Sequence, residues 1–186
     1  MISVSKQIQQ LEKKLNKFSK VDVPRAHSSA LNKTMAKAKT QIIRATSKEA
    51  KVKQAIIRKR VFVKKSTPKT QRGKLSGYTR SIPLMALNPV SKVKRDRKTG
   101  RYQNLGIKAG GRSFPNVFVQ NIGRKKTPQF LQRISRARYP LEVPKVIIEG
   151  SLEDNAINLT RNLIASEYRR LVVADLNFRI IKYGRT

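Results

Sequence analysis

Cysteine and tryptophan are absent from the 186 residues, histidine occurs once, and acidic residues number only ten. Each shortage excludes a chemistry. Without cysteine there is neither a disulfide nor a thiolate metal site. With His27 alone, a zinc site would need several carboxylates, yet only Glu12, Asp22, Glu49 and Asp96 precede Glu142. His27 stands among Arg25, Ala26 and Ser28 where a helix is expected to begin, and it reads as a partly exposed helix residue, not a general base. Glu149, Glu153 and Asp154 are close enough to suggest Mg²⁺, but placement in a first helical turn accounts for the last two more simply. No G-x-x-x-x-G-K-[ST] is present, and Gly110-Gly111-Arg112-Ser113 lacks the lysine and spacing of a phosphate-cradling loop. The expectation is a protein that is not an enzyme and uses no cofactor. No apolar run is long enough to span a bilayer, and Met1 to Gln7 lacks the apolar core of a signal peptide. A soluble protein made in a cytoplasm, with no membrane partner, is therefore expected.

Positive charge is what the chain has in abundance. Lys and Arg total 43, giving a net charge of +33. The excess is uneven: residues 1–141 hold 36 basic and four acidic side chains, whereas residues 142–186 hold seven and six. The basic part is expected to meet a polyanion or an acidic protein surface, and the balanced part to pack. A hydrophobic content of 38% supports one modest core, largely aliphatic, because Phe and Tyr number only six and five.

Ile8, Leu11, Leu15 and Phe18 recur at helical spacing and predict a short amphipathic helix that Asp22-Val23-Pro24 breaks. A second helix is expected from Arg25 to Thr46, and a helical turn from Val52 to Arg58. Single lysines on these helices read as solvated surface. The period then changes. Val61 to Val63, Ser81 to Leu87, Leu105 to Ala109, Val117 to Ile122 and Phe130 to Ile134 read as strands. Phe62 and Phe118 lie in apolar runs and are expected in the core. Lys92 to Arg101 is expected to be a polar hairpin tip or loop, and Gly110 to Ser113 a second loop. Ser151 is a candidate N-cap of a long closing helix through Leu152, Leu159 and Leu163. Leu176 to Tyr183 is read as its continuation, with a last strand as the alternative. The order predicts an α+β fold. N-terminal helices precede a strand-rich middle forming one antiparallel or mixed sheet, and a long C-terminal helix packs on that sheet. Residues 1–23 are expected to form a helical arm and residues 24–186 a single domain.

Three basic clusters suit phosphate or partner contact: Arg58-Lys59-Arg60 with Lys64-Lys65; Lys92, Lys94, Arg95, Arg97, Lys98 and Arg101; and Arg124-Lys125-Lys126. No zinc finger, RNA-recognition signature or helix-turn-helix accompanies them, so any nucleic-acid contact is expected to be unspecific.

Three stretches together resemble a known family. Ala30-Leu31-Asn32-Lys33 lies in an Ala-rich helix that leads through Thr46 to Lys53 into Ile57-Arg58-Lys59-Arg60. Phe114-Pro115-Asn116-Val117-Phe118-Val119-Gln120 is followed by Phe130-Leu131-Gln132-Arg133. Arg138-Tyr139-Pro140-Leu141-Glu142-Val143 introduces an apolar run and the closing helix. In this order and pattern the chain, over roughly residues 20–182, is similar to the phage minor tail protein Z (tail completion) family. The likeness implies a structural virion protein in the tail neck, assembled in the host cytoplasm. It further implies a homo-oligomeric ring, hexameric, touching tail terminator, tail tube and head-tail connector proteins, with unspecific contact to virion DNA. It brings no catalytic residues, and it marks Arg138, Tyr139 and Pro140 as structural. The alternative left by composition alone is a sequence-unspecific nucleic-acid-binding protein of ribosomal or nucleoid type.

Overall fold

The computed structural model describes residues 4–95, 102–122, 127–135 and 139–184. Helix α1 (Val4–Lys17) passes through a π-helical turn (Phe18–Asp22) into α2 (Val23–Ala50), and α3 (Gln54–Arg58) follows. Short strands come next: β1 (Val61–Lys64), β2 (Lys74–Gly77), β3 (Ile82–Pro83), β4 (Val90–Arg95) and β5 (Tyr102–Ala109). Then come β6 (Arg112–Phe114), β7 (Val117–Ile122), β8 (Thr127–Arg133), β9 (Leu141–Glu142) and β10 (Lys145–Val146). A 3-10 turn (Leu84–Leu87) follows β3. Helix α4 (Glu149–Leu163), a second π-helical turn (Ile164–Tyr168) and α5 (Arg169–Gly184) are last among the described residues.

The α+β class holds, but the single sheet does not form. Among the described residues the strands make four small antiparallel sheets, ordered β1-β2, β10-β3, β4-β5-β6 and β7-β8-β9. Six of the eight prolines lie between residues 83 and 144. Pro89, Pro115, Pro140 and Pro144 lie just outside strands, where a missing N–H helps end a ladder, whereas Pro83 and Pro128 lie within the paired strands β3 and β8.

Residues group into two compact units. The first comprises Met1–Ile42, Val61–Gly77 and Asn155–Thr186. Its spine is the Ala-rich part of α2, where Ala26, Ala30 and Ala38 are buried at four- and eight-residue steps. The C-terminal helical region is tied to this helix by two ion pairs. Lys37 pairs with Glu167, and Arg179 Nη1 donates to Asp22 Oδ1 at 3.1 Å, so α5 runs antiparallel to α2. The closing helix therefore packs on the N-terminal helix and not, as the sequence suggested, on a sheet. Buried hydroxyls on α2 turn back to their own backbone: Ser28 Oγ donates to the Pro24 carbonyl and Thr34 Oγ1 to the Ala30 carbonyl, both at 2.9 Å.

Pro24 does not break the helix. The Val23 N–H bonds to the Phe18 carbonyl, five residues back. A π-turn widens the spiral just where an α-helix would clash with the proline ring, so α1 and α2 are continuous.

The second unit comprises Ile43–Arg60 and Tyr78–Asp154. Its core is aliphatic, as composition required: Ile57, Ile82, Leu84, Ile107, Val117, Val146 and Ile148 are all buried. The Gly110-Gly111 pair, with φ of +56° and +74°, makes the tight turn that joins β5 to β6. What looked like a loop thus has Arg112 and Ser113 already in a strand. Of the expected strand from Ser81 to Leu87, only Ile82–Pro83 is extended, and Leu84–Leu87 coils into the 3-10 turn.

Two further expectations are corrected. Helix α4 starts at Glu149, and the Leu152 N–H bonds to the Ile148 carbonyl at 2.9 Å. Ser151 therefore stands inside the first turn and is not the N-cap. Phe62 is 48% exposed, because the β1 alternation turns Val61 inward and Phe62 outward. Leu176 to Tyr183 is helical within α5, as read from the sequence.

Candidate polyanion and partner interface

A dense, acid-free basic surface in the first unit is the β1–β2 hairpin. Residues 61–77 contain Lys64, Lys65, Lys69, Arg72 and Lys74 and no acidic residue. All five are exposed. The register sets Lys64 directly opposite Lys74. Like charges facing each other across two strands oppose hairpin formation, so the hairpin keeps its charge at a cost to its own stability.

Other interactions offset that cost. Asn32 of α2 grips the loop at both ends of its amide: the Ser66 N–H donates to Asn32 Oδ1 at 2.8 Å, and Asn32 Nδ2 donates to the Ser66 carbonyl at 3.0 Å. Beyond this grip, Thr67 and Thr70 bond reciprocally, each backbone N–H to the other's hydroxyl at 3.2 Å and the hydroxyls at 2.9 Å. Gly73 lies so close to α2 that a Cβ there would sit 2.2 Å from the Met35 sulfur. The cations thus stand on an ordered platform. Ordering them in advance lowers the entropy lost when they engage a row of phosphates or carboxylates.

Sequence reasoning found Lys64 and Lys65 but missed Lys69, Arg72 and Lys74. The available signal was a 17-residue stretch without an acid, bracketing a turn.

Among the remaining candidates, Arg58 and Lys59 are exposed at the end of α3. Arg60 differs: it is half-buried, and its guanidinium donates to the Arg80 carbonyl, a structural use. Lys64 and Lys65 belong to the first unit and Arg58 to Arg60 to the second, so each group is described by itself. Lys92, Lys94 and Arg95 lie on β4, paired with β5, and not in a loop; Lys94 faces Gln103 and Arg95 faces Tyr102. Arg97, Lys98, Arg101, Arg124, Lys125, Lys126 and Arg138 fall outside the described residues. Tyr139 and Pro140, joined by a cis peptide, precede β9, and Tyr139 is exposed. Phe118 is half-buried, with the Arg133 guanidinium 5.6 Å from its ring centre.

A second kind of surface is apolar. Ile164, Val173, Phe178, Ile180 and Ile181 of the C-terminal helical region are 47 to 70% exposed. In the first unit an open, mostly apolar groove is lined by Leu75, Ala156, Ile157, Thr160, Ile164 and Ala165, with Arg161 among them. Exposed apolar side chains in such number suit protein contact.

Around the C-terminal helix the electrostatics serve packing. Hydrogen bonding to Lys37 holds the Glu167 carboxyl below its ordinary range. Burial alone would lower the Arg179 pKa, but its bonds to Asp175 and Asp22 outweigh burial and raise it. Burial pushes the Tyr168 hydroxyl up, and the Tyr168 ring meets His27 edge-on at 5.5 Å. Among the described residues no group of three or more His, Asp or Glu could hold a metal ion, and no helix is long and apolar enough to cross a membrane.

Comparison with known proteins adds the rest. The family described as Prophage minor tail protein Z (GPZ) matches residues 6–180. The Tail completion protein of Escherichia phage N15 is 26% identical over 148 residues, covering 79% of this chain and 80% of the relative. The Tail completion protein Z of Escherichia phage lambda is 26% identical over 150 residues, covering 76% and 78%. No solved structure gives a significant match.

Proposed function

The chain belongs to the prophage minor tail protein Z family, and from that premise we propose that it is a structural, non-catalytic component that completes a phage tail at its head-proximal end. The family match, running through nearly the whole chain, is the observation that carries this reading. In it, the protein sits in the neck as a homo-oligomeric ring beside terminator, tube and connector proteins. Its basic platform contacts the DNA end or an acidic neighbour.

Two surfaces support the division of labour. The exposed apolar side chains of the C-terminal helix suit contact between subunits, and they lie where the chain is nearly charge-balanced, so self-repulsion there is small. The hairpin from Val61 to Gly77 suits a polyanion, because a fixed array of cations displaces condensed counterions without needing a base sequence.

Imaging virions that carry a labelled copy of the chain tests the assignment. Label at the junction of head and tail is the expected result. Label inside the capsid, or none in purified virions, overturns it.

A further inference from the structure

We propose that the outward face of the β1–β2 hairpin holds single-stranded DNA, with an unpaired base stacked on Phe62 and its flanking phosphates on Lys64 and Lys74. The proposal rests on the reading of this hairpin as a DNA-contacting surface and adds the form of DNA that it takes.

Residues directly opposite each other in an antiparallel pair share a face, and successive residues alternate between faces. The register pairs Phe62 with Ser76 and Lys64 with Lys74, so these four side chains stand together. Val63 and Leu75, the pair between them, stand on the opposite face and are less exposed. Phe62 is 48% exposed, and the residue across from it is a serine, too short to cover a phenyl ring. Lys64 lies about 7 Å along the strand, and Lys74 is a diagonal neighbour at a similar distance. Residues 61–77 include no acid to compete for the two ammonium groups.

A single ring among cations selects the ligand. A protein interface is built on a core of several apolar side chains, whereas one ring is the whole apolar surface of the outward face of these two strands. Duplex DNA keeps its bases stacked on one another and would meet the lysines alone. An unpaired base offers its π-face to an aromatic ring whatever its sequence, and its phosphates supply the charge that Lys64 and Lys74 call for. Single-stranded DNA meets both demands at once.

The test uses the full chain at moderate salt, where bulk charge attraction is reduced. The probes are an oligodeoxythymidine, an abasic oligomer with the same phosphates, and a duplex. Because the chain has no tryptophan, Phe62→Trp places a single fluorescent indole at the site. The oligodeoxythymidine should quench it, and the abasic oligomer should not. Phe62→Leu keeps an apolar side chain in the strand but removes the ring. In fluorescence anisotropy it should bind the oligodeoxythymidine about tenfold more weakly than the parent does, the order that stacking one base contributes. Its binding of the abasic oligomer should be unchanged, which also shows that the hairpin is intact. Equal affinity of the parent for the two oligomers would overturn the proposal and leave the hairpin a contact for phosphates alone. Equal loss of both oligomers in Phe62→Leu would overturn it, since the ring would then serve the hairpin's own fold. Failure of the parent to bind any of the three probes would overturn the DNA reading of the hairpin along with it. Tighter binding of an oligouridine than of the oligodeoxythymidine would overturn it in favour of RNA. Self-association in sedimentation that disappears in Phe62→Leu would overturn it in favour of a second copy.

Discussion

Asn32 holds the basic hairpin from 34 residues away in sequence. Its amide supplies one donor and one acceptor to a single backbone residue, Ser66, much as a neighbouring strand would. Replacing it with Ala leaves both Ser66 backbone groups without that partner and should cost about 1–3 kcal/mol. Chemical denaturation measures this directly, and DNA affinity should fall in parallel as the cations lose their fixed positions. Asp22 is a second such residue, only 7% exposed. Asp22→Ala takes one partner from Arg179 in a mostly buried site, where Asp175 remains at 2.9 Å. A loss of about 2–3 kcal/mol is expected, because the remaining pair stays charge-compensated. Lys37 and Glu167 give a pH signature instead. The Glu167 carboxyl is lowered in the folded chain, so its contribution is complete above the ordinary carboxylate range and is lost as pH falls through the lowered value. Melting temperature against pH should therefore fall more steeply on the acid side for the parent than for Glu167→Gln. The Asn32–Ser66, Asp22–Arg179 and Lys37–Glu167 pairs were not legible in the sequence, since each joins residues at least 34 positions apart and nothing local marks either member.

At the scale of elements, periodicity served well where the period was sustained. The α1 stripe, the helical continuation through Leu176 to Tyr183, and β1, β5, β7 and β8 were all legible. Short strands were not: β2 is only Lys-Leu-Ser-Gly and β4 carries Lys92, Lys94 and Arg95, so an alternating apolar signal hardly exists in them. Pro24 misled for a different reason, because a π-turn absorbs a proline without ending a helix. The closing helix allows a graded test. Leu152 is 3% exposed and belongs to the second unit, whereas Leu159 is half-buried in the first. Leu152→Asp buries an unpaired carboxylate and should cost roughly 3 kcal/mol or more, with loss of soluble protein. Leu159→Asp should cost less, since its carboxylate can reach water. Equal melting temperatures for the two variants would contradict this ranking.

For the whole molecule the governing quantity is charge. With +33 on 186 residues, the free chain repels itself, and added salt should raise its melting temperature over the range where the Debye length shrinks. The same salt should weaken DNA binding. If about six phosphates are neutralised, affinity should drop by roughly 10³-fold between low and moderate salt. Random duplexes of equal length should compete equally, as the basic clusters have no base-reading companions; a strong preference for one sequence in a competition assay would refute unspecific binding. Neutralising Lys64, Lys65, Lys69, Arg72 and Lys74 together should remove much of that affinity. It should leave the fold intact or slightly more stable, since the repulsion between Lys64 and Lys74 disappears.

By itself the sequence determined the charge and its uneven division, the aliphatic core, the exclusion of thiol chemistry, and the helical period at both ends. All of these are sums over composition or patterns within a few turns, so a linear reading captures them. The family resemblance was legible for a similar reason, as an order of local patterns along the chain. Only the tertiary structure decided that the closing helix lies on α2 and that the strands divide among four small sheets. It alone decided that Asn32 and Gly73 turn a run of lysines into an ordered platform. Those outcomes depend on which distant segments pack together, and there long-range ion pairs and a single amide outweigh local propensity.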